Sequence, residues 1–158
     1  MGQSSNAVNR VTAAAKGLGL DVTPRLMPES TRTAEEAAVA CRCTVGQIVK
    51  SLIFKEKDSD KPLLFLVSGA NRVHEKRTAR TIGMALVRPD AAFVRSATGF
   101  AIGGIPPFGH AQAIVTYVDR DLLQYQTVWA AAGTPYAVFS VSPERLVAVL
   151  NAPTIPVT

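Results

Sequence analysis

The chain has 158 residues, 47% hydrophobic and 18% charged, which is enough length and apolar content for one domain with its own core and argues against a disordered chain. No apolar run is long enough to span a bilayer, and Met1-Gly2-Gln3-Ser4-Ser5-Asn6 lacks a basic stretch followed by an apolar one, so a cytoplasmic protein with no membrane partner is expected. The net charge is +5, and the segment Asn71–Ser96 alone carries +4, from Arg72, Lys76, Arg77, Arg80, Arg88 and Arg95 against Glu75 and Asp90.

In chain order, a first helix is expected over Ser5–Lys16, with Val8, Val11 and Ala15 as its apolar stripe and Gly17 as its stop. A short strand over Val22–Met27 follows. Thr33 and Glu36 then form a capping box that opens an alanine-rich helix. Gln47–Phe54 and Leu63–Val67 read as a hairpin joined by the polar segment Lys55–Lys61. The basic segment reads as a helix ending at Gly83, where Lys76 and Arg80 share a face and Arg77 lies beside them. Met84–Val87 looks extended, and Pro89 sits at the start of a helix that Asp90–Arg95 continue. A glycine- and proline-rich loop follows, Thr98 to His110. Three more strands are expected at Ala113–Val118, Thr127–Ala131 and Tyr136–Val141, and Ser142-Pro143 starts a last helix through Leu150. Residues 151–158, with Pro153 and Pro156, read as a loose tail behind a domain of residues 1–150. The mixture implies an α+β fold, a single domain with a mixed sheet and helices outside it.

Familiar hydrolase signatures are missing: there is no G-x-S-x-G elbow, no H-E-x-x-H and no Walker loop. The two cysteines, Cys41 and Cys43, fall short of the roughly four ligands a structural zinc site needs and read as buried small residues. Lys50 is more informative. Strand alternation puts Ile48, Lys50, Leu52 and Phe54 on one face and Val49, Ser51 and Ile53 on the other, so both faces are largely apolar and the strand reads as interior. A lysine there either meets an anion, a carbonyl or water, or snorkels to the sheet edge. In the loop, Gly103 and Gly104 leave N–H groups free to act as donors that Pro106 and Pro107 stiffen, as ester hydrolysis requires; the alternative is a rigid turn. The basic patch of Arg72, Lys76, Arg77 and Arg80 is either a phosphate-binding surface or a solvated helix face.

Ile48-Val49-Lys50-Ser51-Leu52, the hairpin, the Glu75–Gly83 helix and the loop Thr98-Gly99-Phe100 … Gly103-Gly104-Ile105-Pro106-Pro107-Phe108-Gly109 together resemble the YbaK-like prolyl-tRNA editing family, free-standing relatives of the editing insertion in prolyl-tRNA synthetase. The resemblance runs from about Thr33 to Leu150. It implies a compact α+β domain with a mixed, partly barrel-like sheet, and hydrolysis of mischarged aminoacyl-tRNA, usually tRNA(Pro) bearing alanine, cysteine or a similar small residue. No metal or organic cofactor is implied. The partners would be that tRNA and, weakly, prolyl-tRNA synthetase.

The family's strand lysine falls on Lys50, and its loop glycine and proline fall on Gly103 and Pro107. Gly104 joins them as a backbone donor. Ile48, Ser51, Phe100, Ile105, Phe108 and Gly133 are the expected substrate contacts. Two departures stand out: Ser51 where relatives often have threonine, and Gly133, Thr134 and Tyr136, with no histidine, where some members use a histidine or a small polar residue. A non-catalytic tRNA-binding module, a hydrolase of small esters and a thiol enzyme using Cys41 or Cys43 are the competing readings.

Overall fold

The computed structural model describes residues 2–158. Five helices, α1 (Gly2–Gly17), α2 (Ala34–Cys41), α3 (Glu75–Ile82), α4 (Ala91–Thr98) and α5 (Pro143–Leu150), surround eight strands: β1 (Arg25–Leu26), β2 (Val49–Glu56), β3 (Pro62–Ser68), β4 (Leu86–Val87), β5 (Val115–Asp119), β6 (Val128–Ala131), β7 (Ala137–Val141) and β8 (Thr154–Ile155). The strands form a five-stranded sheet, β4-β2-β3-β5-β8, and a three-stranded sheet, β1-β7-β6. The larger sheet is mixed: β2 and β3 are an antiparallel hairpin, whereas β5 is parallel to β3 and β8 is parallel to β5. No described helix is long and apolar enough to cross a membrane.

Local chemistry accounts for most boundaries. Thr33 caps α2 with the full capping box, its hydroxyl accepting from the Glu36 N–H and the Glu36 carboxylate accepting from the Thr33 N–H. The Asp90 carboxylate accepts from the Phe93 N–H, so α4 begins after Asp90 and not at Pro89. Gly83 closes α3 with φ of 73°. The strand expected over 22–27 shrinks to Arg25–Leu26, bracketed by Pro24 and Pro28, which cannot donate to a ladder.

The main core gathers Val11 and Ala15 of α1, Val49 and Ile53 of β2, Leu64 and Leu66 of β3, and the loop aromatics Phe100 and Phe108. A second cluster on the opposite face of the hairpin joins Phe54, Leu63, Phe65 and Val67 to Ile155 and Val157. This corrects the loose tail read from sequence. Thr154 and Ile155 pair with Val118 and Asp119, and the Val157 carbonyl accepts from the His74 N–H at 2.7 Å. Val157 is 1% exposed, so the C-terminal residues seal the base of α3 and belong to the domain.

The strand of Lys50 is not interior along its length. β3 covers one edge of β2 throughout. On the other edge, β4 pairs only with Lys55 and Glu56, and β6 runs close by but bridges to the chain only at Trp129 and Ile48. Between these contacts the two sheets part, and the edge of β2 faces a gap.

Candidate active site

The gap is a cavity of about 330 Å³. Its walls are the open stretch of β2, the start of α2, Gly69, Trp129 of β6 and Ile102, Gly103 and Ile105 of the glycine loop. Because the cavity lies against a strand edge, residues from both faces of β2 reach it, Lys50 and Leu52 from one and Val49 and Ser51 from the other, together with Ile48 just before the strand.

Lys50 is half-buried, and its ammonium donates to the backbone carbonyl of Asn71. The sequence alternatives for this lysine therefore resolve in favour of a carbonyl partner. Burial lowers the ammonium pKa from its ordinary 10.5; Glu35 opposes that shift, Arg72 adds to it and Asp119 opposes it. Glu35 and Arg32 line the cavity with Lys50, so the space is walled by two cations and one carboxylate. The Ser51 hydroxyl is buried without a hydrogen-bond partner, an unsatisfied group beside a space where a ligand could supply one.

The glycine loop divides into two parts. Gly103 has φ of 96°, and a Cβ there would come within 2.6 Å of Arg32 Cγ. Among the described residues its N–H has no acceptor within the protein. Gly104 differs from expectation. Its N–H donates to Ala101 at 3.0 Å, closing a turn, and its Cα packs so closely on the 133–134 backbone that a Cβ would lie 2.8 Å from Thr134 Cα. It shapes the loop and is not a free donor. Pro107 is buried away from the cavity and borders a separate groove with Phe108 and His110.

Three expected substrate contacts also move. Phe100 and Phe108, 2% and 4% exposed, are core anchors, with Arg10 stacked 4.4 Å from the Phe100 ring centroid and Phe108 set 5.6 Å from Phe139. Gly133 lies with Phe100 on an open groove against α1 and Arg10, where a Cβ would meet the Ala7 carbonyl at 2.8 Å. Long apolar side chains in a loop satisfy the core before they satisfy a ligand, and the sequence pattern cannot separate the two. Ile48, Ser51 and Ile105 do line the cavity.

Arg72 lies on the turn after β3, and Lys76, Arg77 and Arg80 lie on α3; all four are exposed. Among the described residues none of them forms an ion pair, whereas Arg88 pairs with Glu75 at 2.9 Å. Cys41 and Cys43 stand outside the cavity, and burial, with Cys43 adding to it against Arg25, raises the Cys41 thiol to about 11. Burial also raises Cys43. A thiolate nucleophile is therefore disfavoured at either position.

Sequence reasoning missed Arg32, Glu35, Gly69, Asn71 and Trp129. Gly69 carried a readable signal, since it ends an apolar strand. A Cβ there would strike the Val45 carbonyl at 2.4 Å, with Ala34 and Ile48 next in line. Trp129 is the chain's single tryptophan, and Arg25 stacks 4.9 Å from its ring centroid.

The family model described as "Aminoacyl-tRNA editing domain" matches residues 28–149. A Bacillus subtilis (strain 168) protein, YwhH, described as uncharacterized, is 31% identical over 117 residues, which are 74% of this chain and 74% of that protein. Among solved structures, a candidate trans-editing enzyme for prolyl-tRNA synthetase superposes with a TM-score of 0.89 at 43% identity, covering 96% of each chain. The protein designated APE2540 superposes with a TM-score of 0.87 at 29% identity, covering 94% of this chain and 98% of that one.

Proposed function

The chain belongs to the aminoacyl-tRNA editing domain family, and we propose that it is a free-standing hydrolase cleaving the ester of mischarged aminoacyl-tRNA, with tRNA(Pro) carrying a small wrong amino acid as its substrate. The observation that carries this reading is the cavity at the open edge of β2, where a half-buried ammonium, Lys50, and an unpaired N–H, at Gly103, border one space. The likeness to a candidate trans-editing enzyme for prolyl-tRNA synthetase supports the choice of tRNA.

An aminoacyl ester is already activated, so positioning supplies much of the rate. Lys50, with Arg72 outside it, holds the phosphate and ribose of the terminal adenosine. The Gly103 N–H polarises the ester carbonyl. Water adds to the carbonyl carbon, the bond to the ribose oxygen breaks, and the products are a free amino acid and a tRNA with its hydroxyl restored. The exposed cations of α3 engage the acceptor-stem backbone.

Selectivity follows from space. Ile48, Ile105 and Trp129 bound the cavity. One methylene in an apolar pocket discriminates by only about 1–3 kcal/mol, which is why a synthetase that cannot reject a smaller amino acid at its first site needs a second, hydrolytic sieve.

The decisive experiment charges tRNA(Pro) with alanine, cysteine, serine or proline and follows ester loss with the wild type and Lys50→Ala. Loss of one mischarged ester, with prolyl-tRNA spared and Lys50→Ala inactive, is the expected result. Salt-dependent tRNA binding without hydrolysis of any ester would instead make α3 the functional surface and the protein a binding module.

A further inference from the structure

Lys50 is seated on a backbone carbonyl, and that carbonyl is itself held from beneath. Asp119 ends β5 and is 1% exposed. Among the described residues no cation lies within 4.0 Å of it. Its oxygens accept from three N–H groups: Ser68 N at 3.1 Å, Asn71 Nδ2 at 2.8 Å and Asp121 N at 3.0 Å. Asn71 Nδ2 also donates to Asp121 at 2.8 Å, and Ser68 Oγ donates to the Gly46 carbonyl at 2.7 Å. The segment that leaves β3 is thus tied down at both ends, with Gly69 on the cavity wall and the Asn71 carbonyl on Lys50 between those ties.

Burying a carboxylate without a cation is costly, and a turn can be anchored by neutral groups. The charge is the feature that needs a reason. We propose that Asp119, acting through Asn71, is a positioning residue: it fixes the carbonyl on which the Lys50 ammonium rests and so holds that ammonium at the cavity. Its consequence for hydrolysis rests on the function proposed above; the placement of Lys50 does not. The charged groups facing Lys50 are Glu35 from α2, Arg72 from the turn and Asp119 from β5. Asp121 stands behind Asn71, and Arg32 shares the cavity wall. Asp119 therefore supplies a second negative charge beside that of Glu35 and offsets part of the desolvation of the ammonium.

The test uses the full chain labelled with 13Cε-lysine, in the wild type, Asp119→Asn and Asn71→Ala, with Lys50→Arg to assign the Lys50 signal. The Lys50 titration is followed by NMR, and kcat and KM are measured on the mischarged tRNA. Asn71→Ala retains the carbonyl of residue 71 and the Asp119 charge while releasing the clamp. In Asp119→Asn the Lys50 signal is expected to titrate at lower pH and the alkaline limb of kcat to move with it. In both variants kcat/KM is expected to fall about tenfold, as displacing the ammonium that anchors the terminal adenosine would produce. A folded Asp119→Asn with unchanged Lys50 titration and kcat/KM would overturn the proposal. If that variant does not fold, Asn71→Ala decides: an unmoved Lys50 signal with wild-type kcat/KM overturns it, and a perturbed signal with lowered kcat/KM supports it. A wild type that hydrolyses none of the esters sinks the deacylase reading, while the Lys50 titration still decides the positioning role.

Discussion

The two ends of β2 carry a lysine each and treat it in opposite ways. At the hairpin end the ladder is complete, with β3 on one side and β4 on the other, and Lys55 sits within it, its ammonium 3.5 Å from Asp60 and 5.1 Å from the Phe93 ring centroid. At the other end β2 has no continuous ladder to its second neighbour, β6, and Lys50 lies at a cavity, its ammonium on a carbonyl rather than a carboxylate. The hairpin end meets its hydrogen-bonding needs within the sheet. The cavity end leaves groups unmet: the Ser51 hydroxyl and the Gly103 N–H have no partner among the described residues. Stability should therefore concentrate at one end of the strand and function at the other.

Lys50→Ala tests the functional end. It should reduce kcat/KM on the mischarged ester by about 100- to 1,000-fold, the scale for removing a preorganised charged group from a transition state, with the melting temperature nearly unchanged. The wild-type profile should also show the charge. Burial lowers the Lys50 pKa below 10.5, so the protonated form is lost on the alkaline side at a lower pH than for an ordinary lysine. Activity that relies on the ammonium must decline there, as a kcat–pH series would show. A flat profile to that limit would remove the ammonium from the reaction.

Phe65→Ala is the counterpart at the stable end. Phe65 is 0% exposed, meets Phe54 edge-on at 5.5 Å and stacks on Tyr117 at 5.3 Å. Truncation should cost about 3–5 kcal/mol in denaturant unfolding. Activity per folded molecule should hold within a few-fold, because neither the ring nor its partners Phe54 and Tyr117 line the cavity. An activity loss rivaling that of Lys50→Ala would show that the two ends are mechanically coupled.

Gly69→Ala falls between the two. Its Cβ would meet backbone, the Val45 carbonyl at 2.4 Å, so the cavity wall must shift. About 1–3 kcal/mol of destabilisation is expected from overpacking, together with an activity loss of about tenfold from displacing the turn beneath Lys50. Loss of stability alone would confine this glycine to packing.

The elements were readable because their signals are local. The Thr33–Glu36 capping box, the alternation through Ile48–Phe54 and the Gly83 stop each act within a few residues. Lys50 was readable because a charge inside an apolar strand is an anomaly wherever the strand goes. Phe100 and Phe108 were misread for the opposite reason: an aromatic beside glycines looks alike whether it faces a ligand or a core, and only the packing against Arg10 and Phe139 separates the cases. The open edge of β2 was illegible, because it depends on how far β4 and β6 reach along a strand distant in sequence. The C-terminal strand was hidden by Pro153 and Pro156, which mark loops in isolation but here flank a two-residue edge strand.

Lys55→Ala carries the smallest change and the sharpest control. The ion pair with Asp60 spans side chains 29% and 73% exposed, and a pair this open contributes about 0.2–1 kcal/mol. Its ammonium also lies over the Phe93 ring, so a cation–π contact goes with the charge. Unfolding should therefore shift by no more than about 1 kcal/mol, and ester hydrolysis should stay within about twofold, since the group lies at the far end of β2 from the cavity. The substitution removes the same residue type from the same strand as Lys50→Ala, so the net charge change is identical. If both variants lost activity alike, long-range attraction of tRNA to a basic protein would explain the loss, and it would shrink at high salt in both. If only Lys50→Ala loses activity, and the loss persists at high salt, the effect belongs to the cavity and to the ammonium seated there.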